Sequence, residues 1–176
     1  MNIKKTGLFD LYEIENTVFE DMRGRFVKVF NEDAFKKYGL NTEFKESFYS
    51  ISHKGVLRGM HFQLYPHDHA KLVYVSEGEI MDVALDIRKN SETFGEFYST
   101  KLSSENAKSI YLGKGFAHGF LTLSEKATVH YLTSTQHAPE FDSGIRWNSF
   151  GFDWGVVDES KISKRDRMHN QFSEIK

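Results

Sequence analysis

The chain has 176 residues, enough for one domain, and a formal net charge of −2 with Lys and Arg scattered along it, so it carries no electrostatic footprint for nucleic acid. Cysteine is absent, which excludes disulfides and thiol chemistry. No segment has the length and apolarity of a membrane span, and Met1-Asn2-Ile3-Lys4-Lys5 opens no signal peptide, so a soluble cytoplasmic protein is expected.

Short alternating apolar runs dominate from there on. They cover Arg25–Phe30, Lys71–Val75, Glu79–Ile87, Phe97–Leu102, Ser109–Leu112, Gly119–Leu123 and Thr128–Thr133, divided by turn signals such as Glu77-Gly78 and Gly113-Lys114-Gly115. Strands at intervals of about ten residues predict an antiparallel sandwich or barrel. Asn31–Tyr38 predicts a short helix, with Asn31 as cap and Gly39 as stop, and a second helix is expected near Ser160–Arg167. The 16 Phe and 8 Tyr favour a β-rich core with aromatics left over for a ligand cleft. One domain is expected over 1–176, with a polar tail that frays from about His169.

The segment Gly55-Val56-Leu57-Arg58-Gly59-Met60-His61-Phe62-Gln63 carries the most chemistry. Side chains on a strand alternate between faces, so Arg58 and His61, three apart, line one cavity only if Gly59 marks a bulge or bend. His61 is a candidate general base and Lys71 a candidate cation, the combination that proton removal beside a carbonyl requires. Alternation sets Val129, Tyr131 and Thr133 on one face, where the Tyr131 phenol either packs in the core or donates a proton. Pattern alone favours packing for Tyr131, and for His61 it weighs a structural imidazole equally with a base. Arg23, Arg25 and Arg58 could clamp a diphosphate, since a guanidinium fork matches phosphate oxygens. His67, Asp68, His69 and His118 follow part of a metal-ligand pattern, but no Glu follows His69 and Lys71 would repel a divalent ion. Asp166 by itself reads as a charged helix surface.

Taken together, these segments resemble the dTDP-4-dehydrorhamnose 3,5-epimerase family of cupin-type nucleotide-sugar epimerases. The likeness rests on Asp21–Phe26, Lys54–Gln63, Ala70–Val73, Gly78–Arg88, Ser91–Gly95, Leu102–Asn106, Gly115–Phe120, Ala138–Glu140 and Gly144–Trp147, in order along most of the chain. It implies an all-β cupin or jelly-roll barrel with a few short helices. It also implies an isomerase without a cofactor that inverts C3, C5 or both in a nucleotide-diphosphate 4-keto-6-deoxy sugar, in deoxysugar synthesis for surface polysaccharide. His61 matches the family's base, Asp166 the carboxylate paired with it, Tyr131 the acid and Lys71 the cation beside the C4 oxygen. Arg23, Arg58, His118, Glu46, Gln63 and Lys28 match substrate-binding positions. The resemblance further implies a homodimer with exchanged N-terminal strands, in which Arg23 serves the neighbouring site.

Three stretches depart from the family pattern. Lys28 stands where a carboxylate is usual, Glu46-Ser47-Phe48-Tyr49 replaces a Gln-Asp-Asn-His-like run, and His67-Asp68-His69 replaces a Tyr-Ala-Gln-like loop. These departures lead to the expectation of a retained catalytic core with an altered specificity shell, acting on a sugar nucleotide other than the rhamnose-pathway substrate. The competing readings are a metal-dependent cupin using His67, His69 and His118, a nucleotide-sugar 3,4-ketoisomerase, and a catalytically dead binder.

Overall fold

The structure, a computed structural model, describes residues 1–175. Its strands are β1 (Asn2–Lys5), β2 (Leu11–Glu15), β3 (Thr17–Asp21), β4 (Gly24–Lys28), β5 (Glu46–His53), β6 (Leu57–Gln63) and β7 (Lys71–Glu77). They continue as β8 (Glu79–Asp86), β9 (Phe97–Ser103), β10 (Lys108–Leu112), β11 (Phe116–Thr122), β12 (Lys126–Thr133) and β13 (Asp142–Gly144). A six-stranded sheet has the order β1-β2-β10-β7-β12-β5, and a five-stranded sheet has the order β13-β6-β11-β8-β9. Every ladder between these strands is antiparallel. The two sheets pack as the antiparallel sandwich expected from the alternating runs, in the jelly-roll form that the family resemblance implies. Strands β3 and β4 form a separate hairpin that pairs only with itself.

Three apolar clusters hold the layers together. Between the sheets, Val73, Ile80, Leu102, Ile110, Phe120 and Val129 interlock, each supplied by the inward face of its strand. The outer face of the six-stranded sheet is covered by helix α1 (Glu32–Lys37), whose Asn31 side chain accepts the Ala34 N–H as its cap. Phe35 on that helix is fully buried against Tyr12, Ile14, Leu72 and Tyr111. Burial of such a ring contributes about 1.5–3 kcal/mol.

The outer face of the five-stranded sheet is covered by the C-terminal segment. Ile145, Phe150, Trp154 and Ile162 are buried there, with Trp147, Phe152 and Phe172 packed beside them. Much of the aromatic surplus is thus structural, because a long segment without regular strands needs large side chains to cover a sheet. The tail expected to fray is held instead. Asn170 bridges Ile145, its carbonyl accepts the Arg146 N–H at 2.8 Å, and Phe172 N–H donates to Ser149 Oγ at 2.9 Å. The second expected helix is divided into a 3-10 turn at Glu159–Lys161 and helix α2 (Lys164–Arg167), capped by Ser163. No helix among the described residues is long and apolar enough to cross a membrane.

Candidate active site

A cavity of about 290 Å³ lies between the sheets, walled by β6 and β11 on one side and by β5, β7 and β12 on the other. Its position depends on a defect in one ladder. His118 of β11 pairs with His61 of β6, but Phe120 pairs with Arg58, so β6 carries one extra residue. That bulge returns Arg58 and His61 to the same cavity. Gly59 makes it possible. It adopts a φ of +136°, and a Cβ there would sit 2.5 Å from the Gly119 Cα. The bend expected at Gly59 is therefore present, and two glycines facing one another form it.

His61 Nε2 lies 2.9 Å from Asp166 Oδ1. Helix α2 delivers that carboxylate, and the Gly59 amide donates to its Oδ2 at 3.2 Å. Burial would raise the Asp166 carboxyl, but the neighbouring His169 and His61 rings and the Gly59 amide outweigh it and hold the group ionised, well below the usual carboxylate range. Burial lowers the His61 imidazole, against the pull of Asp166, so the resting ring is neutral. A neutral ring donating from Nε2 to Asp166 keeps the Nδ1 lone pair as a base.

The opposite wall supplies a cation and a phenol. Lys71 Nζ donates to the His61 carbonyl at 3.2 Å, and desolvation brings its ammonium down to about 8, with Asp142 and Asp82 resisting. Tyr131 is buried, its hydroxyl 3.3 Å from Ser50 Oγ, and desolvation pushes the phenol up, which keeps it protonated. Phe48 stacks on the Tyr131 ring with centroids 4.8 Å apart. His118 sits beside Tyr131 in the wall, its Nε2 2.8 Å from Asp82 Oδ2 in a fully buried pair.

The other residues expected at the site divide into two groups. Arg58 lines the cavity mouth and donates Nε to Ser52 Oγ at 2.9 Å. Gln63 lines the cavity, but its amide is spent on the chain, accepting from Ala138 N–H and donating to the His67 carbonyl. Glu46 faces an annex shared with Phe48, His69, Thr133 and His137, and accepts the His137 N–H at 2.8 Å. Arg23 and Lys28 do not reach the cavity of their own chain. Arg23 is exposed and paired with Asp21, and Lys28 ends an exposed strand, because the β3–β4 hairpin stands apart from both sheets. His67, His69 and His118 do not converge. His67 packs on Phe141, His69 Nδ1 meets Gln63, and His118 is paired with Asp82. Among the described residues the metal-like group is His61, Asp166 and His169 instead.

Sequence reasoning missed Asp82, His169 and Arg165, and gave Phe48 no role beyond its place in a stretch that departs from the family pattern. Only His169, three residues after Asp166, left a local trace. Its ring fits against Gly144, where a Cβ would come within 2.4 Å of Nε2.

Residues 5–174 match the family model described as dTDP-4-dehydrorhamnose 3,5-epimerase. The chain belongs to that family. A dTDP-4-dehydrorhamnose 3,5-epimerase of Methanothermobacter thermautotrophicus is 46% identical over 93% of this chain and 90% of its own. The crystal structure of the Elizabethkingia anophelis epimerase superposes with a TM-score of 0.92 at 42% identity, covering 99% of this chain and 97% of that one. The Legionella pneumophila epimerase, solved with dTDP-4-keto-L-rhamnose, gives 0.93 at 35% identity, covering 99% and 94%. The cupin-type epimerase fold inferred from the motifs is thus the fold of this chain.

Proposed function

We propose that this chain is an epimerase of a nucleoside-diphosphate-linked 4-keto-6-deoxy sugar, inverting C3, C5 or both, in the synthesis of deoxysugars for surface polysaccharide. The observation that carries it is a neutral, carboxylate-backed imidazole and a protonated phenol on opposite walls of one cavity that also holds a lysine. His61 removes the proton from the carbon beside the C4 ketone, and the electron pair moves onto the C4 oxygen. Lys71 stabilises that oxyanion, and Tyr131 delivers a proton to the other face of the ring. The electron pair returns to carbon, so the reaction is redox-neutral. Arg58, at the mouth, holds a phosphate oxygen through the part of its fork that Ser52 leaves free.

The substrate class follows the relatives, whose names specify a dTDP-linked sugar. A narrower reading is favoured by one observation: Phe48 and Glu46 form an annex wall where the family pattern has amides. On that reading the sugar or base differs from the rhamnose-pathway substrate. Incubation in deuterated water with dTDP-4-keto-6-deoxyglucose and its GDP- and CDP-linked counterparts tests both. Deuterium at C3 or C5 of any of them supports the reaction, and its absence from all three, or a ketone moved to C3, overturns it. Efficient double epimerisation of the dTDP compound overturns the narrower reading alone.

The active unit is a homodimer with exchanged N-terminal hairpins. Phe19, Met22 and Phe26 on the hairpin are exposed, and β5, an edge strand, exposes Phe48, Tyr49 and Ile51. A partner's hairpin laid along that edge would bury both apolar faces and carry Arg23 and Lys28 towards the neighbouring cavity. Mixing inactive His61→Ala and Arg23→Ala proteins should then restore roughly a quarter of wild-type activity, since one site of each mixed dimer is intact. No recovery after exchange of subunits rules the arrangement out.

A further inference from the structure

The His61–Asp166 pair has a second imidazole against it that the proton transfers do not use. His169 Nε2 faces Asp166 Oδ1 at 3.7 Å, the same oxygen that His61 Nε2 meets at 2.9 Å. The two rings stand edge to face, their centroids 5.8 Å apart. Room for the second ring comes from Gly144, the direct ladder partner of His61, where a Cβ would fall 2.4 Å from His169 Nε2. The next residue, Asn170, is pinned beside it, bridging Ile145 and accepting the Arg146 N–H at 2.8 Å. The polar edge of the His169 ring is otherwise unspent: Nε2 is buried, and no hydrogen bond among the described residues reaches it. At 3.7 Å its contact with Asp166 is longer than a hydrogen bond and acts through charge. A bare lone pair on Nε2 would face an anion, so a proton sits there, in the neutral ring and the imidazolium alike. Of the groups that keep Asp166 ionised against burial, His169 contributes most, ahead of His61 and the Gly59 amide.

We propose that His169 is a positioning residue that shares the Asp166 carboxylate with His61, tempers the carboxylate's pull on that ring and so keeps His61 a neutral base. The proposal rests on the epimerase reading and deepens it. The N–H dipole of His169 offsets part of the negative charge that His61 feels, so the protonated form of His61 is stabilised less. With Oδ2 taken by the Gly59 amide, the second ring also fixes which way Oδ1 points. The other groups around His61 stay as they are when His169 changes. Lys71 of β7 and Arg165 of α2 oppose its protonation, and Arg165 is paired with Asp142 of β13. His118 of β11 keeps its own Asp82, while Arg58 of β6 and Tyr131 of β12 line the same cavity.

The test has two arms. The first, NMR titration of the His61 ring in the free protein, needs no substrate. His169→Leu should raise the His61 midpoint by roughly half a pH unit, and His169→Gln, which keeps an N–H at that edge, should stay near wild type. The shift passes through the carboxylate, so adding His169→Leu to Asp166→Asn should move the midpoint no further. His169→Met is read in the same way where the leucine variant does not fold. In the second arm, kcat and KM are measured against pH with the fastest-turned-over of the dTDP-, GDP- and CDP-linked 4-keto-6-deoxyhexoses. The acid limb of kcat/KM should rise in His169→Leu and not in His169→Gln, with kcat of the leucine variant down about tenfold and KM nearly unchanged. A His61 midpoint that stays or falls in His169→Leu overturns the proposal and leaves the epimerase standing. So does an equal rise in His169→Gln or in the Asp166→Asn background. A wild type that exchanges no deuterium overturns the reaction, and the sharing of Asp166 is then judged by the titration alone.

Discussion

Two imidazole–carboxylate pairs face each other across neighbouring strands, and only one of them opens widely on the cavity. His61 and His118 are direct partners in the β6–β11 ladder, and each has a carboxylate oxygen within 2.9 Å. The His61 ring is 33% exposed to the cavity, whereas His118 and Asp82 are 4% and 0% exposed. Asp82 lies on β8, which pairs with β11, so that pair belongs to the sheet itself. Asp166 comes from a capped turn of helix beyond the barrel. The lesson is that the chemistry of a His–Asp pair is set by what the ring's second nitrogen can reach, not by the pair.

The sharpest way to break this comparison is to delete each imidazole. His61→Ala should lower the rate of deuterium exchange by about 10²–10⁴-fold in a folded protein. His118→Asn should retain measurable exchange, but denaturation should show a loss of about 3–5 kcal/mol, because Asp82 is left as an uncompensated buried charge. Asp82→Asn added to that variant should return part of the stability. Loss of all exchange in a stably folded His118→Asn would erase the distinction between the pairs.

A smaller effect lies in the pH profile of kcat/KM. The His61 imidazole is lowered from its ordinary 6.5, so its protonated, inactive form accumulates only below that value and the acid limb lies there. Lys71, brought down to about 8, loses its charge as pH rises through that value, so activity falls on the alkaline side. Asp166→Asn removes a neighbour that raises His61, and should move the acid limb lower while reducing kcat by roughly 10–100-fold. An alkaline limb near 10 would show that desolvation does not bring Lys71 down, and an alkaline limb that persists unchanged in Lys71→Met would remove Lys71 from its role. The most selective effect is expected of Tyr131→Phe, which should keep some deuterium exchange while blocking inversion at one centre, as read by product NMR.

The central strands, the capped first helix and the need for a bend at Gly59 were legible in the residues, because alternation, caps and glycine turns are local physics. Strands β1, β2, β3, β5 and β13 were not marked out: β1, β5 and β13 are sheet edges and β3 belongs to the separate hairpin, where exposure blurs alternation, while β2 is an inner strand only five residues long with two Glu in it. The pairing of Asp166 with His61 was invisible from pattern alone. Its carboxylate meets His61 across 105 residues of chain, and its own neighbours Lys164, Arg165 and Arg167 make it look like solvated surface.

By itself the order of side chains determined an antiparallel barrel with an imidazole, a lysine and a phenol on inward positions, because period-two patterning sorts residues between faces wherever one face is buried. Tertiary structure alone decided that the imidazole would be backed by a carboxylate from beyond the barrel. It also decided that Arg23 and Lys28 would lie outside their own cavity. Those outcomes depend on the packing of segments far apart in the chain, and no local period encodes which distant turn closes over which strand.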